Sequence, residues 1–189
     1  EEKTVLIEKS RSSSFPRKYV CIATQSTAQA KYWNNKNGWK KVVSYLKFLG
    51  YDVVCIDRHK TFGIQGNYNK IPNNCIDKTG DINLKDRIDD LYNCEFFIGL
   101  GSGLSWLAWA CQKPVIMISG FSKRHAEFTN PYRVINERVC NGCWNNDSFK
   151  FDSSNWLWCP ENKNFECTKK ISFEMVKSKI DLLRQENNL

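Results

Sequence analysis

The sequence contains little histidine: only His59 and His125 occur among its 189 residues. Both lie in segments that we predict to be loops, so a histidine-based catalytic triad is not indicated. The phosphate-binding motif G-x-x-x-x-G-K-[ST] is missing, and the dinucleotide motif G-x-G-x-x-G fails at its last glycine. Kinase and dehydrogenase functions are therefore disfavoured.

The sequence also lacks a long hydrophobic run. The longest apolar stretch, Phe96–Cys111, is interrupted by glycine and serine and is shorter than the roughly 20 residues that a membrane-spanning helix needs. We therefore expect no membrane span. The first ten residues are charged and do not resemble a signal peptide. Because the chain does not begin with methionine, we expect the natural beginning of the protein to lie upstream.

Acidic residues are outnumbered by basic ones, 20 against 28, which gives a formal net charge of +8. This charge favours anionic partners, whether nucleic acid, a phosphorylated ligand or an acidic protein surface. The basic residues are scattered along the chain, so the charge by itself does not choose among these partners. A hydrophobic content of 41% predicts a globular chain with a proper core.

Strand and helix patterns alternate along the chain. Short apolar runs predict buried strands, and apolar residues at steps of three and four predict helices. The predicted strands are 19–23, 52–56, 96–98 and 115–118, and the predicted helices are 39–49, 84–91, 104–111 and 172–184. Gly50 and Ser172 are predicted to cap helices. This order predicts an α/β, Rossmann-like parallel sheet wrapped by helices. Residues 58–80 are predicted to form an extended loop.

Four cysteines near the C-terminus, Cys140, Cys143, Cys159 and Cys167, have the spacing C-x2-C-x15-C-x7-C. Two such short turns can converge on one tetrahedral metal ion, and Asn141-Gly142 gives the first turn the backbone freedom it needs. Four thiolates suit zinc and iron equally, so the metal stays open at this point. The remaining cysteines lie mostly in apolar runs, which favours reduced thiols and a cytoplasmic location.

Two predicted strand-to-helix loops carry groups suited to phosphate. The first, Thr24–Trp33, has three hydroxyl residues and a lysine, and the second, Gly99–Gly103, is rich in glycine. Ligands of parallel sheets gather at the carboxyl ends of the strands, where a helix N-terminus presents free N–H groups. The two loops together predict a cradle for a diphosphate.

The first loop resembles that of GT-B glycosyltransferases of the heptosyltransferase kind. Ser26, Thr27 and Lys31, followed by Tyr32 and Trp33, keep the spacing of that family, and the likeness runs from about residue 19 to 119. It implies the C-terminal half of a GT-B fold. It also implies that Ser26 and Thr27 bind the donor diphosphate and that Lys31 reaches the phosphate or the sugar.

A second block, from Gly80 to Leu84 and on to the turn 101–106, resembles the same family with two departures. Gly101 stands where the family has an acidic residue, and Trp106 stands where it has a histidine. Asp81 and Asn83 are expected to take over part of that work. Asp57 and Arg58 follow the second strand, where we expect them, with His59, to meet the ribose or adenine.

A narrower resemblance is to the bacterial autotransporter heptosyltransferases. The turn Gly-Ser-Gly-Leu-Ser-Trp, the segment Asn130–Arg133 and the cysteine turn Val139–Trp144 are similar to that group. The likeness implies structural iron on the four cysteines, ADP-heptose as donor, serine or threonine hydroxyls of an autotransporter passenger as acceptor, and homo-oligomeric rings. The implied donor-binding residues are Thr24, Ser26, Thr27, Lys31, Asp57, Arg58, Asp81, Asn83, Gly101, Ser102 and Gly103.

Four segments are predicted along the chain. These are a lead-in at 1–18 from an absent N-terminal domain, a nucleotide-sugar-binding domain at 19–136, a four-cysteine metal finger at 137–170 and a C-terminal helix at 171–189. In GT-B enzymes the catalytic base lies on the N-terminal domain, so no catalytic residue is assigned in this chain. Two alternatives stay open: a GT-B domain for another sugar nucleotide and acceptor, and a zinc-ribbon module that binds nucleic acid.

Overall fold

The computed structural model describes residues 15–189, so residues 1–14 of the predicted lead-in lie outside the described residues. Its centre is a parallel sheet of six strands in the order β5-β2-β1-β6-β7-β8, with a separate antiparallel hairpin formed by β3 and β4. The strands are β1 Tyr19–Ile22, β2 Asp52–Cys55, β3 Thr61–Ile64, β4 Asn67–Lys70, β5 Ile76–Asp77, β6 Phe97–Leu100, β7 Val115–Ile118 and β8 Arg133–Val134. The helices are α1 Gly38–Phe48, α2 Leu84–Asn93, α3 Gly103–Ala110, α4 Glu166–Lys169 and α5 Phe173–Glu186. The predicted α/β fold is thereby confirmed.

The sheet is covered on both faces, as a parallel sheet must be. Side chains alternate along β1: Val20 and Ile22 join a cluster with α1 and α5, whereas Tyr19 and Cys21 join a cluster with α2 and α3. Each strand of the sheet centre therefore contributes to two apolar cores. Among the described residues, no helix is both long and apolar enough to cross a membrane.

The caps of α1 and α5 follow the sequence predictions. Gly50 has φ +89°, and its N–H donates to the carbonyl of Lys47 while the N–H of Tyr51 donates to Leu46, each at 3.0 Å. This pair of bonds is the Schellman arrangement, which favours glycine at the left-handed position. At the start of α5, Ser172 Oγ accepts the N–H of Met175 at 3.3 Å.

The predicted extended loop at 58–80 is wrong, because this segment contains β3, β4 and the short strand β5. The turn between β3 and β4 places Gln65 and Gly66 at φ 56° and 82°, which suits a tight hairpin. Both hairpin strands are largely exposed, so no buried face imposes an apolar alternation on their sequence. The two-residue strand β8 was also not predicted.

We expect Leu46→Ala in α1 to lower the free energy of unfolding by about 2–5 kcal/mol, because Leu46 is fully buried against the sheet. The matched control is Phe48→Ala, two residues along the same helix, whose side chain is 83% exposed and should change stability by less than about 0.5 kcal/mol. Urea unfolding measures both. Equal losses of unfolding free energy in the two variants would contradict the orientation of α1, in which Leu46 faces the sheet and Phe48 faces solvent.

Candidate functional site

A cavity of about 950 Å³ opens at the carboxyl edge of the sheet. Three loops line it: the loop after β1, the loop after β2 and the turn between β6 and α3. Because β1 lies between β2 and β6, this edge is the point where the order of the strands reverses, a usual ligand position in parallel sheets. The predicted site residues at the cavity wall are Ser26, Thr27, Lys31, Asp57, Arg58, Ser102 and Gly103.

The N-terminus of α3 forms one wall of this cavity. Ser102 precedes the helix in an extended conformation and makes no capping bond with its side chain, and a Cβ added to Gly103 would meet nothing within 4 Å. The first N–H groups of a helix have no partner within the helix and carry a partial positive charge. This wall can therefore accept an anion close to the backbone.

The glycine-rich loop is shorter than predicted. Gly99 belongs to β6 rather than to the loop, and a Cβ there would lie 2.5 Å from a ring carbon of Phe97. Gly101 follows the strand but is not part of the cavity wall, and a Cβ at that position would lie 3.0 Å from a carboxylate oxygen of Glu127. Of the predicted glycines, only Gly103 faces the cavity.

Asp57 is almost completely buried, at 1% exposure, and fastens the loop after β1 to the end of β2. Its carboxylate accepts the N–H and hydroxyl of Thr24, at 2.8–3.0 Å, and the N–H of Gln25 at 3.1 Å. Burial raises the pKa of Asp57 above its ordinary value, and these bonds oppose the rise. Thr24 and Asp57 thus hold the loop in place, and Thr24 itself does not line the cavity.

Arg58 lines the cavity and pairs with Asp81 at 3.2 Å, and both side chains are exposed. Asn83 accepts the N–H of Asp86 at 2.9 Å and so caps α2. Neither Asp81 nor Asn83 belongs to the cavity wall. The predicted contact of Asp81 and Asn83 with a sugar is therefore not supported by their positions outside the cavity wall.

Apart from His59, the apolar and aromatic residues of the cavity wall were not predicted as site residues from the sequence. His59 stacks on Phe62, with ring centroids 5.0 Å apart and an angle of 10°, and Trp106 of α3 is 42% exposed. Phe62 lies in the hairpin that was predicted as a loop. The apolar and aromatic side chains of the wall are His59, Phe62, Leu84, Leu104, Trp106, Leu107, Trp109 and Ala110.

Lys31 ends a short 3₁₀ helix, Gln29–Lys31, in the loop after β1. Its ammonium nitrogen lies 5.2 Å from the centroid of the Trp144 ring, and burial lowers the pKa of Lys31. Trp144 comes from the segment 137–170 that contains the four cysteines. We call this segment the cysteine segment.

The cysteine segment contacts the loop after β1 at further points. The carbonyl of Trp156 accepts the N–H of Gln29 at 3.1 Å, and the Trp156 ring lies edge-on to Tyr32 and to Phe62, with centroids 5.8 and 5.6 Å away. Trp158 packs in one apolar cluster with Ala30. The segment therefore forms part of the support of the cavity wall.

The four cysteines of the segment are free thiols. Burial raises the pKa of Cys167 to about 12, and the nearby Cys140, Cys143 and Cys159 contribute to the rise. Gly142 has φ +74°, and the N–H of Phe165 donates to Cys159 Sγ at 3.5 Å. Within residues 15–189, no three side chains of His, Cys, Asp or Glu are placed closely enough to hold a metal ion. Four cysteine thiols are suitable ligands for a tetrahedral zinc or iron ion. The predicted metal finger, however, is not formed by the described residues.

Comparison with known proteins gives consistent matches. The family model for glycosyltransferase family 9 (heptosyltransferase) matches residues 2–158. The autotransporter heptosyltransferase BAHTCr of Citrobacter rodentium is 53% identical over 169 residues, which cover 87% of this chain and 41% of that protein.

Two solved structures are similar to the chain over nearly its whole length. The crystal structure of the iron-containing dodecameric glycosyltransferase TibC from enterotoxigenic Escherichia coli has a TM-score of 0.91 at 47% identity, and covers 95% of this chain and 48% of that one. A structure of dodecameric iron-containing heptosyltransferase TibC in complex with ADP-D-beta-D-heptose has a TM-score of 0.90 at 47% identity. The chain spans less than half the length of these relatives.

We expect Asp57→Asn to lower the free energy of unfolding by about 1–3 kcal/mol, because the new amide NH₂ leaves a buried N–H donor without an acceptor. Urea unfolding measures the loss. The matched control is Asp81→Asn, because the Asp81 side chain is 83% exposed, and we expect a change below about 0.5 kcal/mol. If Asp57→Asn left the free energy of unfolding unchanged, these hydrogen bonds would not anchor the loop.

Proposed function

The chain belongs to glycosyltransferase family 9, the heptosyltransferases, as the sequence resemblance predicted, and on that premise we propose that it forms the donor-binding half of an autotransporter heptosyltransferase. It binds ADP-heptose, and the whole protein transfers heptose to serine or threonine hydroxyls of an autotransporter protein. The similarity to the autotransporter heptosyltransferase BAHTCr and to the structure of TibC in complex with ADP-D-beta-D-heptose supports this proposal.

One observation carries the proposal: the loops after β1 and β2 and the turn before α3 meet around a single cavity. Its polar part offers the hydroxyls of Ser26, Thr27 and Ser102, the ammonium of Lys31 and the N-terminus of α3. All of these groups donate hydrogen bonds or carry positive charge. A diphosphate is an anion that matches this set.

The remaining wall of the cavity suits the nucleoside. Trp106 and Phe62 present planar apolar surface on which an adenine ring can stack. Arg58 adds a cation near the outer edge of the cavity. The cavity thus offers cationic and hydroxyl groups together with aromatic surface, and a nucleoside diphosphate requires both.

During glycosyl transfer, the bond between the anomeric carbon and the diphosphate oxygen breaks, and the diphosphate gains negative charge as it leaves. Lys31, the hydroxyls and the α3 N-terminus stabilise this charge, because the fold holds them at the cavity wall before the reaction. The acceptor hydroxyl attacks the anomeric carbon and loses its proton to a general base. Asp57 is not assigned as that base, because its oxygens already accept the hydrogen bonds of Thr24 and Gln25.

We propose that the four cysteines, Cys140, Cys143, Cys159 and Cys167, hold one structural iron ion, with zinc as the alternative. Four thiolates complete a tetrahedral set and leave no position for substrate, so such an ion would cross-link the cysteine segment and take no part in the reaction. TibC is an iron-containing protein. TibC is also dodecameric, which supports a homo-oligomer for the protein that contains this chain. We place that protein in the bacterial cytoplasm, where free cysteines such as those of this chain stay reduced.

The proposed donor site is tested by isothermal titration calorimetry with ADP-heptose. The titrations use the whole protein that contains this chain, which we call the complete polypeptide. We expect Lys31→Met to weaken binding by about 10- to 100-fold, because one charge-assisted contact to the diphosphate is lost. The control is Lys36→Met, which removes an exposed lysine five residues along that does not line the cavity.

The alternatives have distinct outcomes in the same titrations. Tighter binding of another sugar nucleotide than of ADP-heptose would identify a different donor. Binding of DNA or RNA with a steep dependence on salt, without any binding of sugar nucleotides, would favour the nucleic-acid module. Equal affinities of Lys31→Met and Lys36→Met for ADP-heptose would refute the assignment of Lys31.

The metal proposal predicts about one iron ion per chain by elemental analysis of the purified protein. We expect Cys143→Ser to lose most of the iron, because a serine hydroxyl is a poor replacement for a thiolate ligand. The control is Cys75→Ser, since Cys75 is a free thiol outside the cysteine segment and its substitution should leave the iron content unchanged. Full iron content in Cys143→Ser would exclude a four-cysteine site.

A further inference from the structure

We infer that Trp144 of the cysteine segment is a positioning residue for Lys31, and that its indole ring holds the lysine ammonium toward the cavity. This inference rests on the proposed function, because it assigns the ammonium to a bound diphosphate. It makes the cysteine segment a direct contributor to donor binding, in addition to the structural role that the family resemblance implies.

The contact has the geometry of a cation–π interaction. The ammonium nitrogen of Lys31 lies 5.2 Å from the centroid of the Trp144 ring, within the roughly 6 Å over which such attraction acts. Among the hydrogen bonds and ion pairs of residues 15–189, none involves the Lys31 side chain. The indole ring is therefore the contact that orients this ammonium.

An aromatic ring orients the ammonium without neutralising it. A carboxylate partner would use one or more of the N–H donors and cancel the positive charge. A ring face attracts the cation through its quadrupole, so the N–H groups and the net charge remain available to a ligand. An unpaired lysine at the wall of a cavity that also carries Ser26, Thr27 and Ser102 is suited to an anion.

The Trp144 ring is itself held in place. Its backbone N–H donates to the carbonyl of Phe121 at 3.1 Å, and its ring contacts the rings of Phe121 and Phe151, with centroids 5.7 and 4.8 Å away. Phe121 follows β7, so the indole is attached to the sheet as well as to the cysteine segment. Because Trp144 is nevertheless 43% exposed, its removal should leave the fold intact.

The loop that carries Lys31 is also held by Trp156. The Trp156 carbonyl accepts the N–H of Gln29, and its ring packs edge-on against Tyr32. Trp144 thus contacts Lys31, and Trp156 contacts the neighbouring residues Gln29 and Tyr32. Movement of the cysteine segment would displace the ammonium relative to Ser102.

The test is a double-mutant cycle on the complete polypeptide, with ADP-heptose binding measured by calorimetry. We expect Trp144→Leu to weaken binding about three- to tenfold and Trp144→Phe to stay within about twofold of the unmodified protein, since phenylalanine keeps a ring under the ammonium. In a Lys31→Met background, Trp144→Leu should cause no further loss, because the group through which Trp144 acts is already absent.

The control variant is Leu157→Ala, which removes a side chain of the same segment with a similar exposure of 42% and should leave ADP-heptose affinity unchanged. Thermal unfolding checks every variant, and Trp144→Met replaces Trp144→Leu if the leucine variant fails to fold.

Unchanged binding in the folded aliphatic variant, or a full additional loss in the Lys31→Met background, would overturn the role of Trp144 and leave the proposed function standing. If the unmodified protein does not bind ADP-heptose, the proposed function fails, and this inference fails with it.

Discussion

The cavity depends on the buried carboxylate of Asp57. This side chain, at the end of β2, accepts the backbone N–H groups of Thr24 and Gln25 and so fixes the loop that leaves β1. A charged group at 1% exposure is costly to bury unless its oxygens are saturated with donors, and here the loop supplies them. The carboxylate can be buried only if the loop adopts the conformation that supplies these donors. This conformation in turn sets the positions of Ser26, Thr27 and Lys31.

A second layer of support comes from the cysteine segment. Trp144, Trp156 and Trp158 each contact the loop after β1, through a cation–π contact, a backbone hydrogen bond and apolar packing respectively. The segment has little regular structure, and its aromatic rings replace a conventional core in this region. Any group that braces the four thiols would consequently act on the cavity wall through these rings.

How much of this could be predicted depends on how each element is buried. β1 and α1 have faces that meet the core, so their apolar spacing is visible in the sequence, and Gly50 was identifiable because only glycine adopts φ +89° readily. The hairpin of β3 and β4 packs little of its surface, so its strands carry few apolar residues besides Phe62, Ile64 and Tyr68, too few to be recognised as strands. Gly99 was placed in a loop because a glycine-rich run hides where a strand ends, and only its pairing with Met117 of β7 assigns it to β6.

The wrapped parallel sheet, the two loops with phosphate-binding chemistry and the spacing of the four cysteines could be read from the amino-acid sequence, because these features follow from local periodicity and residue type. Three features required the folded chain: Asp57 points inward to hold Thr24, Phe62 and Trp106 line the same cavity as Lys31, and Trp144 lies beneath the lysine ammonium. Contacts between residues far apart in the chain depend on how whole elements pack, and a one-dimensional pattern carries no record of that packing.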